Sequence, residues 1–186
     1  MLTLFSVPKP FRGHVEAIQK NAIRSWTQLS PPSQVILFGD ESGVAEAASE
    51  FGITHVPQVE RNDYGTPLLD NLFEKAEAMA TNDTMCYVNG DIILMNDFTT
   101  AIERVRRIKK SFLMVGRRWD VQIDERVDLS QPGREVQLRA YVREYGKPRE
   151  PDYIDFFVFP RGFFRGLLPF AIGRAAFDNW LLWKAR

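Results

Sequence analysis

Met85-Cys86-Tyr87-Val88-Asn89-Gly90-Asp91-Ile92-Ile93-Leu94-Met95-Asn96-Asp97 lies near the middle of the chain. The apolar run from Met85 to Val88 gives way to Asn89-Gly90-Asp91 and then to a second apolar run, Ile92 to Met95, so one carboxylate is pinned between segments that favour burial. A charge in that position costs on the order of several kcal/mol unless a cation, backbone N–H donors or an arginine compensates it. Read this way, Asp91 is a metal-holding acid at the end of a buried strand. The alternative is a type I′ turn over Val88 to Asp91 joining two strands, since Asn-Gly is the strongest short hairpin signal.

Working outward, strand and helix patterns alternate. Leu2 to Val7 reads as a short buried strand stopped by Pro8 and Pro10. A helix follows from about His14 to Leu29, with Ile18, Ala22, Trp26 and Leu29 on one face, and Ser30-Pro31-Pro32 ends it. Val35 to Gly39 is a second strand that delivers Asp40 and Glu41 at its end. A short helix opened by Ser42-Gly43 and closed by Gly52 precedes a third strand, Ile53 to Val56. Thr66-Pro67 reads as an N-cap with proline in the first turn of a helix carrying Leu68, Leu69, Leu72, Phe73, Ala76 and Met79. Beyond the central stretch, Asn96 or Asp97 caps a further helix, and Phe112 to Gly116 forms a fifth strand ending in Arg117-Arg118-Trp119-Asp120.

Strands and helices joined in this order by short connections predict an α/β fold, a three-layer α/β/α sandwich around a mainly parallel sheet. Such sheets bind ligands at the carboxyl ends of their strands. Asp40, Arg61, Asp91 and Arg117 all fall after predicted strands. The last third reads differently: Val121 to Gln131 is polar and loop-like, Pro132 to Tyr145 is helical, Asp155 to Phe159 is a strand, and a final helix contains Asp178, Trp180, Leu181 and Trp183.

Composition narrows the classes. The 186 residues carry 45% hydrophobic and 26% charged side chains, as ordinary globular domains do. Lys plus Arg and Asp plus Glu both number 24, so no overall field recruits nucleic acid or an anionic membrane. The basic run Arg104 to Lys110 belongs to an amphipathic helix and reads as a solvated face. No apolar run reaches the roughly 18 residues of a membrane span, and the N-terminus has no signal-peptide pattern, so a cytoplasmic protein is expected. The single cysteine, Cys86, reads as a small buried hydrophobe suited to a reducing compartment. Trp180, Leu181, Leu182 and Trp183 exceed what one helix face buries, which leaves room for a homo-oligomer or a covering extension.

The chemistry-bearing residues are carboxylates and arginines. His14 and His55 have no partners at metal-ligand spacing, and no nucleophilic-serine, P-loop or dinucleotide motif is present. A hard cation such as Mg2+ or Mn2+ needs only one or two carboxylates when phosphate oxygens complete its shell. Arg61, Arg117, Arg118, Arg161 and Arg174 are candidate phosphate or carboxylate partners, because the guanidinium fork suits both. Asp178, in the first turn of the last helix, is either a partner of the helix dipole or a general base for an acceptor hydroxyl.

In order along the chain, FSVPKPF (5–11), AIRSW (22–26), VILFGDE (35–41), RNDYGTPLLDNLF (61–73), YVNGDIIL (87–94), FLMVGRRWD (112–120), DFFVFPRG (155–162) and PFAIGRAAFDNWL (169–181) resemble the GT-A fold nucleotide-diphospho-sugar glycosyltransferases. The resemblance is nearest to a group of small bacterial and plant glycosyltransferase-like proteins. It implies one domain over residues 1–186, with a nucleotide-binding half at 1–120 and an acceptor-side half at 121–186. Asn89-Gly90-Asp91 then stands for the metal-binding Asp-x-Asp motif, Asp91 being the acid that holds Mn2+ or Mg2+. Asp40 corresponds to a nucleotide-base or ribose contact, assisted by Arg61, and Val7, Asn89, Arg117 and Arg174 complete the donor site. Asp178 corresponds to the base of inverting members. Asn89 departs from the motif by removing one of its two carboxylates.

The function so implied is transfer of a sugar from a nucleoside-diphosphate sugar to a hydroxyl acceptor. Two rivals stand beside it. One is a nucleotidyltransferase on a related fold, for whose basic glycine-rich signature Val7 to Gly13 is a poor version. The other is a scaffold or a carbohydrate- or nucleotide-binding protein without turnover.

Overall fold

A computed structural model describes residues 1–174 and 177–186; Ala175 and Ala176, inside the segment from Pro169 to Leu181 quoted above, lie outside the described residues. Six strands form the main sheet: β1 (Leu2–Ser6), β2 (Gln34–Phe38), β3 (Thr54–Val56), β4 (Thr84–Val88), β5 (Met114–Arg117) and β8 (Ile154–Pro160). Their order is β3-β2-β1-β4-β8-β5. β1 runs parallel to β2 and β4, and β2 to β3, whereas β8 is antiparallel to both β4 and β5. The sheet is therefore mostly parallel, and β8 inverts locally between two strands that point the same way.

That inversion decides what meets at the functional edge. The carboxyl ends of β1 to β5 share one edge of the sheet, and the amino end of β8 joins them there, with Val88 opposite Phe156 and Arg117 opposite Ile154. Asp155 arrives beside Asn89 as a result.

Strands β1 and β4 are buried along their whole length, so their alternating side chains feed two cores. Leu2, Leu4, Cys86 and Val88 pack with α1 (His14–Thr27), α2 (Val44–Phe51) and α4 (Asn96–Ile108) on one face. Phe5, Met85 and Tyr87 pack with α3 (Leu69–Met79) and α6 (Phe177–Lys184) on the other. The second core is aromatic: Phe5 meets Phe73 edge-on at 5.1 Å between ring centroids, and Phe73 stacks on Phe159 at 5.5 Å.

Several local expectations are corrected. The hairpin alternative at Asn89-Gly90 does not occur, because Ile92 to Met95 is not a strand. That run crosses the face of α1 instead, where Trp26 Nε1 donates to the Ile92 carbonyl (2.8 Å) and the Leu94 N–H donates to Ser25 Oγ (3.0 Å). Thr66-Pro67 does not start α3, whose cap is Leu68. Tertiary pairing overrides the local signal, with Arg61 bridged to Pro67 and Leu68 to Ala171. Met95, rather than Asn96 or Asp97, caps α4, because Asn96 is occupied by Ser30 and Glu135. The fifth strand runs to Arg117, two residues later in register than expected at its start.

The polar stretch from Val121 to Gln131 contains no helix or strand, yet it is held firmly. Asn21 on α1 and Gln28, the residue that caps its C-terminus, grip it with both ends of their amides. Asn21 donates to the Glu125 carbonyl and accepts from the Val127 N–H, both at 2.9 Å. Gln28 donates to Asp128 Oδ1 (2.7 Å) and accepts from the Leu129 N–H (2.8 Å). Beyond this strap, α5 (Arg134–Tyr145) buries no residue of its own and is tied to α4 by Arg139, which pairs with Asp97 at 2.6 Å, and by Glu135, which accepts from Asn96 Nδ2 at 3.0 Å. A two-stranded ribbon of β6 (Trp119–Asp120) and β7 (Lys147–Pro148) flanks it.

Candidate functional site

The first cluster at the carboxyl edge follows β2. Gly39 turns the chain at φ 100°, its N–H donating to the Val56 carbonyl and its own carbonyl bonded to His55 Nε2. The left-handed φ favours glycine, and a Cβ there, 2.3 Å from Glu41 Oε2, would also displace that side chain. The turn presents Asp40 and Glu41 to Arg61, whose Nη2 lies 2.7 Å from Asp40 Oδ1 and whose Nη1 lies 2.9 Å from Glu41 Oε1. The Glu41 bond raises the Arg61 pKa further above its ordinary value, against the opposing effect of partial burial. Arg61 also donates to the Gly65 carbonyl (2.9 Å), so the loop after β3 is tied to the end of β2. Asp40 itself is largely exposed.

The second cluster follows β4. Asn89 donates its backbone N–H to the Asp155 carbonyl (2.9 Å) and its Nδ2 to Asp155 Oδ1 (3.0 Å). Asp91 is exposed in the turn that follows. Asp155 is only 4% exposed and takes a second, charged bond from Arg118 Nη1 at 2.6 Å. Burial raises its pKa, Arg118 and Asn89 pull it back down, and the nearby Asp91 charge adds to the rise. Tyr87, beneath them, is pushed up by burial first and then by Asp91 and Asp155.

Arg118 extends the cluster into an alternating chain of charge. Its Nε donates to Asp120 Oδ1 (2.7 Å), Asp120 also takes Arg149, and the Tyr153 ring lies under both guanidiniums at 5.7 and 5.2 Å. Burial tends to raise the Asp120 pKa, but its two arginines hold it below the usual carboxylate range. Arg117, the last residue of β5, is exposed and makes one long bond to the Arg149 carbonyl (3.4 Å).

A third feature is the loop after β1. Val7, half-buried, is the first residue after the strand, which ends one residue earlier than the Leu2 to Val7 span expected from the sequence. Gln19 of α1 then grips Lys9 from both sides, accepting its N–H at 2.7 Å and donating to its carbonyl at 2.8 Å. The position of a Cβ on Gly90 would lie 3.1 Å from Gln19 Oε1 and 3.4 Å from the Pro8 Cα. Glycine at position 90 thus lets the β1 loop lie directly against the loop carrying Asp91. From the other side, Arg174 is exposed ahead of α6 and Asp178 is half-exposed in its first turn, accepting the Asn179 N–H at 2.8 Å. Phe177 meets the Tyr87 ring edge-on at 6.3 Å, which brings the start of α6 to the end of β4.

Of the residues expected from the sequence, Asp40 and Arg61 are brought into direct contact, and Asn89 and Asp91 flank one turn. Asp155 and Gln19 were missed. An acid opening the apolar strand Asp155 to Phe159 was the available signal for the first; nothing in α1 marks Gln19 beyond its polarity. Among the described residues, no three acids, histidines or cysteines gather as a metal cluster. At this edge Asp91 is an exposed carboxylate, and Asp155 Oδ2 is a buried oxygen without a hydrogen-bond partner among the described residues. No helix among the described residues is long and apolar enough to cross a membrane.

No known family profile and no curated protein matches this sequence. Among solved structures, HddC from Yersinia pseudotuberculosis superposes with a TM-score of 0.51 at 10% identity, over 94% of this chain and 85% of that one. The two share an α/β fold, here a mostly parallel six-stranded sheet with helices on both faces. A CMP:2-keto-3-deoxy-manno-octonic acid synthetase complexed with CTP is similar over 87% of this chain and 75% of its own (TM-score 0.48, 15% identity). Residues 1–349 of S. aureus TarS are similar over 60% of this chain and 34% of that one (TM-score 0.47, 11% identity). At 10% identity it is the fold alone that is shared with HddC.

Proposed function

We propose that this chain is a glycosyltransferase that moves a sugar from a nucleoside-diphosphate sugar to a hydroxyl acceptor. The observation carrying this reading is that the Asp40–Glu41–Arg61 cluster and the Asn89–Asp155 pair with its neighbouring Asp91 lie at the same sheet edge, after strands β2 and β4 on either side of β1. Ligands of such sheets bind at that edge. Residues 1–120 form the nucleotide-binding half in this reading, and 121–186 the acceptor-side half.

Asp40, steadied by Arg61, accepts hydrogen bonds from the base or ribose, and Val7 packs beside them. Arg117 and Arg174, both exposed, contribute charge to the diphosphate. Asn89 and Asp91 would hold Mn2+ or Mg2+. A divalent cation bound there supplies Lewis-acid stabilisation of the departing diphosphate. Asp178 takes the proton from the acceptor hydroxyl, which makes the reaction inverting. A reducing, cytoplasmic setting accords with the lone buried thiol of Cys86.

Calorimetric titration with UDP- and GDP-sugars, with and without Mn2+, tests the reading. Metal-dependent binding that is lost in Asp91→Ala is expected; absence of binding to the wild type, or unchanged metal-dependent binding in the variant, would overturn it. Nucleotidyl transfer is the second reading, and the contact of the Pro8-Lys9 loop with Gly90 favours it by setting a basic loop beside the acid. Release of pyrophosphate from a nucleoside triphosphate and a sugar phosphate would decide for it.

A further inference from the structure

The net charge is zero, but the cations are not spread evenly. Arg104, Arg106, Arg107, Lys109 and Lys110 crowd the end of α4, with Glu103 the nearest acid in sequence. The helix turns Phe98, Thr99 and Ile102 inward. Its period then sets Arg104, Arg107 and Ile108 on the opposite face, as i, i+3 and i+4 neighbours. All five cations are exposed, and among the described residues none lies within ion-pair distance of a carboxylate, not even Arg107 with Glu103 one turn before it. Ile108, in their midst, is 79% exposed.

The helix dipole favours cations in a last turn, which accounts for Arg106 and Arg107. It does not account for Lys109, where the backbone has become extended, for Lys110 beyond it, or for an aliphatic side chain at the centre of the outer face. Unpaired positive charge calls for an anionic partner, and Ile108 selects among such partners. A bilayer surface offers lipid phosphates to the cations and a headgroup–acyl boundary that buries an aliphatic side chain. Nucleic acid phosphates take no benefit from Ile108, and Arg104 to Lys110 includes no aromatic ring on which a base could stack. A second copy docked through a two-fold axis would set like charges against one another.

We propose that the end of α4 is a docking surface for an anionic lipid bilayer, with Ile108 entering the headgroup boundary and Arg104, Arg106, Arg107, Lys109 and Lys110 reaching lipid phosphates around it. The apolar stems of these long side chains lie along the same boundary while their charged ends stay in water. None of these residues belongs to the candidate site, so the inference does not depend on the transferase reading.

Cosedimentation of the full chain with phosphatidylcholine vesicles, with and without phosphatidylglycerol, at low and high ionic strength, tests this in wild type, Arg104→Glu/Arg107→Glu and Ile108→Ser. Binding confined to the anionic vesicles and weakened by salt is expected. It should fall at least about tenfold in the charge-reversal variant and about threefold or more in Ile108→Ser. The substituted side chains are exposed, so both variants should keep the thermal midpoint of the wild type. Absence of binding to anionic vesicles at low ionic strength would overturn the proposal, as would binding unchanged in both variants. A single-stranded oligonucleotide bound more tightly than the vesicles, and equally by wild type and Ile108→Ser, would overturn it in favour of nucleic acid. A dimer in sedimentation equilibrium that Ile108→Ser dissociates would overturn it in favour of a second copy.

Discussion

Asn89 and Asp155 bond twice across the β4–β8 junction, backbone N–H to carbonyl at 2.9 Å and Nδ2 to Oδ1 at 3.0 Å. The candidate turn is thereby fixed to a strand that enters the sheet from the opposite direction, and the Asp155 charge is compensated through Arg118, itself 31% exposed. Arg118→Ala should cost about 2–3 kcal/mol, somewhat under the usual loss for a broken buried pair because the guanidinium is partly hydrated. Adding Asp155→Asn to that variant should cost no more, since it removes the stranded charge. Urea unfolding at neutral pH measures both; an Arg118→Ala protein as stable as wild type would contradict the assignment.

The strap on α1 gives an independent test. Asn21→Ala leaves the buried Val127 N–H without its acceptor and frees the Glu125 carbonyl. A loss of about 1–3 kcal/mol is expected. Amide exchange at Val127 should accelerate markedly while β1 and β4 stay protected.

Gly39→Ala combines a left-handed backbone with a clash at Glu41 Oε2. Destabilisation of about 1–3 kcal/mol is expected. Because Glu41 must move, its pair with Arg61 should be disturbed too, so any nucleotide affinity should fall in the same variant. Thermal unfolding and nucleotide titration read the two effects separately.

The Arg139–Asp97 pair sets a pH-dependent contribution. The Arg139 bond outweighs partial burial and holds the Asp97 carboxyl below the usual range. A depressed carboxylate stabilises the fold above its unfolded pKa of about 3.9 and loses that contribution as pH falls through the lower folded value. Both side chains are substantially solvated. Arg139→Gln should therefore lose only about 0.5–1 kcal/mol at pH 7, and the difference from wild type should shrink as the pH drops below about 4. Urea unfolding of both proteins at pH 7 and pH 3 checks this.

Much of the scaffold was legible in the residues themselves. Apolar runs such as Leu2 to Val7 and Met85 to Val88, separated by helical periodicity, announced a parallel sheet, and the charges after them marked its edge. Strand direction was not legible: Asp155 to Phe159 looks the same whether it runs with β4 or against it, yet only the antiparallel choice carries Asp155 to Asn89. Long-range pairing explains the other misses. Thr66-Pro67 has the local chemistry of a helix start but is drawn into extended pairing by Arg61 and the segment at Ala171. Gln19, Asn21 and Gln28 look like solvent-facing amides of α1 and its C-cap, and their partners lie in loops that no periodicity describes.

The central claim is that a nucleotide diphosphate binds where β1, β2 and β4 end. A crystal soaked with UDP and Mn2+ tests it most directly. The expected result is density for the diphosphate beside Asp91 and for the nucleoside against Asp40 and Arg61. Nucleotide bound elsewhere on the molecule, with Asp91 facing only solvent, would contradict it.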